Sequence, residues 1–345
     1  MTEFSISRLE ENARVCNLPP DYIAILEQYY PEISGYFSEY CEMYYKHWPQ
    51  IPREFGDRFT DTLPGLSKPA THALYIIIIL AGVQRSRERY RELGYPQEMW
   101  REIMPDLYLH LLKVNGNCLL HKSSIWWSFG ILSGLTVQLG RLQFQTFKFN
   151  QPYYGFREKN GRNIVLLSGE GLSVNEKEIS GFPSVNGIFS KERVVLSTGK
   201  YEKFLEKGSD VLIIHIPAGQ RLDIAACKDS MRRAKEFFGK HYPELDLRGF
   251  MCMSWLLDPR LQAYLGEDAN IIKFQRLGQL YPFPNKSLEA LDRVFGTRDV
   301  TGLRPQTRLQ SALLDMIRNG EELHEGGMII DYNIDTDMGI TQNNQ

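Results

Sequence analysis

Residues 211–222 read VLIIHIPAGQRL, and this stretch decides the fold of the C-terminal half. Val211 to Ile216 is a continuous apolar run of strand length. Such a run suits a central strand covered on both faces, because a half-exposed strand would alternate polar and apolar residues. Pro217 and Gly219 interrupt it. From Asp223 to Lys240 the apolar residues Cys227, Met231, Ala234 and Phe238 recur at helical spacing, with Asp223 placed to cap the helix start. Gly249 to Leu256 returns to strand composition. The order is strand, turn, helix, strand.

Working outward, Gln138 to Phe149 (QLGRLQFQTFKF) alternates polar and apolar residues, and Asn163 to Ser168 forms a short strand pattern. Helices are expected over Ser287 to Phe295 and Thr307 to Asn319, with a last strand from Met328 to Tyr332. From Phe4 to about Leu120 the period is helical. Pro19-Pro20 opens a helix that Pro31 is expected to close, and Gly94-Tyr95-Pro96 starts another through Met99, Trp100, Ile103, Leu107 and Leu111. A Pro- and Gly-rich loop, Thr60 to Pro69, precedes the apolar run Ala73 to Val83, and Arg85, Arg87, Arg89 and Arg91 follow as a solvated stretch. The period is expected to change after about Ser123. Helices first and mixed elements afterwards give an α+β chain. An all-helical N-terminal domain occupies residues 1–130. A mixed α/β domain with a central twisted sheet occupies 131–335, and a polar tail 336–345.

The composition narrows the function. The 345 residues carry a formal net charge of −2, with 43% hydrophobic and 24% charged residues. No basic stripe of the kind that binds nucleic acid is visible. The run Ala73 to Val83 has about half of the ~20 residues that a membrane span needs. The five cysteines, Cys16, Cys41, Cys118, Cys227 and Cys252, form no CxxC pair and read as reduced. With no signal-peptide pattern at the start, a cytoplasmic protein with no membrane association is expected. The seven histidines are dispersed, so no metal site is expected, and HExxH, GxSxG, P-loop and GxGxxG signatures are lacking.

A tight turn between a strand and a helix start presents backbone N–H groups and the positive end of a helix dipole, which favours phosphate. Ala218 and Gly219 let a ligand approach the main chain, and Arg221 supplies charge. Most such turns bind nothing, so the motif alone leaves both readings open.

Three strings in order are more specific. They are Leu139-Gly140-Arg141-Leu142-Gln143-Phe144, then His215-Ile216-Pro217 with Gly219, Leu222, Ser230, Ala234 and Phe237-Phe238, then Cys252 and Ser254-Trp255-Leu256-Leu257-Asp258-Pro259 with Asn270-Ile271 and Phe274-Gln275. Together they resemble a two-domain acyltransferase family with a helical N-terminal domain and a GNAT-like C-terminal domain. The resemblance implies a GNAT-like fold, acyl-CoA or CoA as cosubstrate, and transfer to an unidentified amine acceptor. It implies that Val211 to Ile216 and Phe250 to Leu256 are the fourth and fifth strands, which splay apart around the acyl group. It also implies that Ile216, Pro217, Ala218, Gly219, Gln220, Arg221 and Leu222 hold the CoA pyrophosphate.

His215, at the end of the central strand, reads either as a general base or as a buried structural histidine. Ser254 either contacts the thioester or acceptor or caps the next turn. Cys252 is a nucleophile candidate with His215 as its base, or an inert buried thiol. Asp258 reads as the start of a helix at Pro259. Phe274 stands four residues before Gly278, where the resemblance implies a tyrosine that serves as general acid. Tyr264 or Tyr281 would substitute only if the fold returned one to the cleft. The leading reading is an acyl-CoA-dependent N-acyltransferase acting on a small molecule or peptide. The alternative is a GNAT-like module without catalysis that binds a metabolite or protein. The oligomeric state is not legible.

Overall fold

A computed structural model describes residues 6–49, 62–111, 122–161 and 163–333. Cys118 and the tail 336–345 lie outside the described residues. The chain divides into two compact units, Met1–Gln138 and Leu139–Gln345.

The first unit holds helices α1 (Ile6–Val15), α2 (Pro20–Tyr45), α3 (Lys68–Ala81), α4 (Val83–Glu92), α5 (Gln97–Ile103), α6 (Asp106–Leu111) and α7 (Lys122–Leu132). Ser67 caps α3 by accepting the Ala70 N–H at 3.3 Å, and the run Ala70 to Leu80 is buried all round. That explains its unbroken hydrophobicity. At Gly82 a side chain would collide with the Tyr45 hydroxyl, which donates to the Ile78 carbonyl at 2.8 Å.

Two local expectations fail here. Pro31 does not close a helix; α2 runs through it to Tyr45. The ring forfeits one backbone bond, at a cost of about 3 kcal/mol. Burial of Tyr22, Ile23 and Leu26 before it and of Ile33, Cys41, Tyr44 and Tyr45 after it outweighs that loss. The arginine-rich stretch keeps the expected helical period as α4, with Val83, Ser86 and Tyr90 forming its buried stripe. The change of period also comes later than Ser123. Ile125, Phe129 and Leu132 keep helical spacing and are buried on α7, so the boundary expected at residue 130 falls inside a helix.

The second unit is built on a six-stranded sheet whose first strand spans the boundary at Gln138. Its strands are β1 (Val137–Leu139), β2 (Leu142–Lys148), β11 (Asp210–His215), β12 (Leu247–Ser254), β13 (Gln279–Lys286) and β14 (His324–Asp331), in the order β1-β2-β11-β12-β14-β13. β11 and β12 run parallel, joined through α8 (Ile224–His241); β2–β11, β12–β14 and β13–β14 are antiparallel. α8 lays Cys227, Met231, Ala234 and Phe238 inward, as its stripe requires. α9 (Leu261–Leu265), α10 (Asn270–Gln275), α11 (Glu289–Phe295) and α12 (Arg308–Arg318) complete the helices, with Leu261, Ile272, Leu291 and Met316 in one cluster.

Between β2 and β11 the chain forms antiparallel structure that the sequence showed only at Asn163 to Ser168. β3 (Tyr153–Glu158), β4 (Ile164–Ser168) and β10 (Tyr201–Leu205) make a three-stranded sheet. β5 (Ser173–Val174), β6 (Glu178–Gly181) and β9 (Val194–Ser197) make another, and β7 (Ser184–Val185) pairs with β8 (Ile188–Phe189). Leu166, Phe204 and Leu205 from the first of these pack with Val211, Met251, Tyr281 and Ile329.

Candidate active site

The registers fix which side chains share a face, since alternate strand residues point to opposite sides. Ile214 pairs with Phe144 on β2 and with Cys252 on β12. One step further along, His215 pairs with Gln143, Met253 with Gly327, and Gly327 with Tyr281. Those five residues therefore form one row across the sheet, on the face that also carries Ile213, Met251 and Ile329. Ile214, Phe144 and Cys252 lie on the other face. Leu166, Phe204 and Leu205 pack against Val211, Met251 and Ile329, so Cys252, next to Met251 in the strand, lies on the opposite face, the one left to α8.

The parallel ladder β11–β12 ends at Ile214 and Cys252, while β11–β2 continues to His215 and β12–β14 continues to Ser254. Beyond Ile214 the two parallel strands hold their outer neighbours and no longer each other. Pro217 brings no N–H to a ladder, and Gly219 turns the chain at φ +88°.

The turn that follows is held from beneath. Gly140, at φ +76°, packs so tightly that an added Cβ would meet the Ser230 hydroxyl oxygen at 3.0 Å. Arg141 N–H donates to that Ser230 Oγ at 2.8 Å, and Ser230 donates to the Ala226 carbonyl at 2.8 Å. The buried Arg141 guanidinium donates through Nε to the Arg221 carbonyl and through Nη2 to the Gln220 carbonyl, both at 2.9 Å. Burial depresses the pKa of this arginine. Two carbonyls of the turn thus point into the protein toward a cation. Ala218, Gly219, Gln220 and Arg221 are exposed, and their amides make no hydrogen bond to another described residue. Asp223 caps α8 by accepting the Ala226 N–H at 2.9 Å. An anion at this turn would meet the earlier amides, with the carboxylate already occupying the helix start. Arg141 lies within the string Leu139 to Phe144, but a buried arginine bound to two carbonyls 79 and 80 residues away leaves no local signal of its role.

The remaining candidates separate. Cys252 is 1% exposed, and burial pushes its thiol up to about 12. It stays protonated at neutral pH, on the face opposite His215, so the expected nucleophile–base pair is not assembled. The strand expected through Leu256 stops at Ser254, whose Oγ accepts the Leu256 N–H at 3.2 Å and caps a 3-10 turn, Trp255–Leu257. This turn lies over Gly326, where an added Cβ would overlap the Leu257 backbone. Asp258 accepts from the Arg260 backbone at 3.0 Å, from Arg260 Nε at 2.9 Å and from the His324 N–H at 3.3 Å. It is a structural clasp, and the helix begins at Leu261 rather than Pro259. Phe274 is core on α10.

Of the two substitute tyrosines, Tyr264 is engaged with Glu321 and with Asn319, the latter at 3.0 Å. Tyr281 is 1% exposed, and its hydroxyl has no hydrogen-bond partner among the described residues. Gln143, also 1% exposed, likewise leaves both amide atoms unpartnered among the described residues. From the sequence Tyr281 stands only as a conditional substitute for the missing general acid, and Gln143 only within the string Leu139 to Phe144. Among the described residues no cluster of His, Cys, Asp or Glu could hold a metal ion, and no helix is long and apolar enough to cross a membrane.

Comparison with known proteins agrees with this architecture. The sequence model of the GNAT-like C-terminal domain family matches residues 136–329. Among curated proteins, none matches the chain. A crystal structure of an acyltransferase in complex with decanoyl-CoA and teicoplanin is similar at TM-score 0.54 and 22% identity, covering 95% of this chain and 86% of the other. A second, of an acyltransferase with CoA and 10C-teicoplanin, gives TM-score 0.55 and 21% identity over the same shares.

Proposed function

The chain belongs to the family with a GNAT-like C-terminal domain, and on that premise we propose that it is an acyl-CoA-dependent acyltransferase acting on an amine of a small molecule or peptide. The observation that carries this reading is the parting of β11 and β12 after Ile214 and Cys252, with His215 at the parting and an exposed turn immediately after it. The acyltransferases similar to it in fold hold decanoyl-CoA or CoA, which supports the same cosubstrate here.

The CoA pyrophosphate lies on the amides of Ala218 to Arg221, flanked by Ile216, Pro217 and Leu222, with Arg141 charge beneath the turn. The thioester enters the gap between β11 and β12. His215 takes the proton of the attacking amine, directly or through water. Holding amine and thioester in one gap turns a bimolecular encounter into a local one. Cys252 and Ser254 have no part in the chemistry. The buried thiols fit a reducing compartment such as the cytoplasm.

Calorimetric titration of the full chain with acetyl-, octanoyl- and decanoyl-CoA tests the binding step. Saturable heat and a raised Tm are expected. No heat and no shift at millimolar ligand would refute the reading. Thioester loss followed with a panel of primary amines then tests turnover, and binding without any turnover would favour the non-catalytic module.

A further inference from the structure

Tyr281 is placed with unusual care for a side chain whose hydroxyl bonds to no described residue. Its ring lies on Gly327, so closely that a Cβ there would stand 2.1 Å from the carbon bearing the hydroxyl. Tyr153 packs against it at 5.3 Å between ring centroids, and Phe189 packs against Tyr153 at 4.8 Å. The Tyr153 hydroxyl is committed to the Pro282 carbonyl at 3.0 Å. The ring starts on β13 and crosses Gly327 of β14, so its hydroxyl is directed toward β12. There it meets the row that continues through Met253 to His215 and Gln143. With strands about 4.8 Å apart, roughly two strand spacings, about 10 Å, separate this hydroxyl from the His215 backbone. The gap between β11 and β12 lies in that interval. Leaving a buried hydroxyl unpartnered costs about 1–3 kcal/mol, and phenylalanine would fill the same space without that cost.

We infer that Tyr281 donates its hydroxyl hydrogen bond to the thioester carbonyl oxygen of bound acyl-CoA and to the oxyanion formed from it. This rests on the acyl-CoA reading above. The amine nitrogen attacks the thioester carbon, a C–N bond forms, and the carbonyl π pair moves onto oxygen beneath Tyr281. His215 takes the amine proton. The carbonyl re-forms, the C–S bond breaks with its pair on sulfur, and the thiolate receives the proton from His215. The products are an amide and free CoA. Tyr281 keeps its own proton throughout. Burial drives its pKa upward, so a phenol in this place yields no proton to a thiolate, whose conjugate acid lies near 8.5. It remains a donor across the working pH range. The role is electrostatic, distinct from that of a general acid to the leaving group.

The test uses the full chain, decanoyl-CoA labelled with carbon-13 at the thioester carbonyl, and infrared difference spectroscopy. On binding to the wild type, the carbonyl stretch should fall in frequency. In Tyr281→Phe most of that fall should vanish while calorimetric Kd for decanoyl-CoA changes less than about threefold. With hydroxylamine as acceptor, kcat should drop by about 10²–10³, the loss typical of one oxyanion donor, and Tm should hold or rise. A full frequency shift in Tyr281→Phe would overturn the assignment and leave the acyl-CoA reading intact. Failure of the wild type to bind decanoyl-CoA would overturn both.

Discussion

The two faces of the central sheet carry alternate residues of the same strands and do opposite things. On the helix face, Phe144, Leu212, Ile214, Phe250 and Cys252 are all buried, and Phe144 meets Phe250 edge to face at 5.9 Å. α8 seals this face, and the thiols there, Cys252 and Cys227, are suppressed by burial. On the other face the last row places Gln143, His215 and Tyr281 in line, with two buried polar side chains lacking partners among the described residues. One face is optimised for packing. The other gives up stability at positions where apolar residues would fit, and side chains kept at such a cost are candidates for chemistry.

The sharpest way to break the comparison is to remove the base. His215→Ala should lower kcat by about 10²–10⁴, the range for a general acid–base group, with Kd for decanoyl-CoA nearly unchanged. Unchanged turnover would return His215 to the scaffold and leave the polar row without a function. A smaller effect is expected where the turn is held. Arg141→Met removes the donor to the Gln220 and Arg221 carbonyls. Acyl-CoA affinity should fall about 10- to 100-fold, kcat should move little, and stability should drop by about 1–3 kcal/mol per stranded group. An affinity equal to that of the wild type would show that the pyrophosphate does not use this turn.

Much of this was legible in the sequence, and the reasons are local. VLIIHI needs both faces covered, and it lies between β2 and β12. Asp223 caps because its short side chain reaches Ala226. In LGRLQF five of the six letters find a physical cause: Gly140 turns against Ser230, Arg141 reaches inward, Leu142 and Phe144 join the helix face, and Gln143 takes the other. What stayed hidden depends on contacts distant in sequence. The nested antiparallel strands between Tyr153 and Leu205 are short, and several pair at exposed positions, so their alternation is weak. Pro31 misled because tertiary burial overrides a local break. Tyr281 joins His215 only through three strand pairings, which no spacing rule anticipates.

The smallest effect on turnover is expected from Cys252→Ala, and it isolates the packing face. Activity should stay within about twofold, since the thiol lies opposite the polar row. Stability near pH 7 should fall by about 1 kcal/mol for the lost sulfur contacts. The order of the two proteins should then reverse in alkali. The folded thiol is held at about 12, above the ~8.5 of an unfolded chain. Its contribution is therefore complete below pH ~8.5 and is lost as pH rises toward 12, because the unfolded state sheds the proton first. Two pH units above 8.5, at about 1.4 kcal/mol per unit, the wild type has lost about 2–3 kcal/mol through this one residue. The variant is spared that loss, while Cys16, Cys41 and Cys227, held at about 12 by burial in the same way, penalise both proteins equally. Chemical denaturation at pH 7 and pH 10.5 reads the two differences. A gap that stays constant between those values would mean that the thiol ionises in the folded protein, and that the helix face is not the sealed surface its packing indicates.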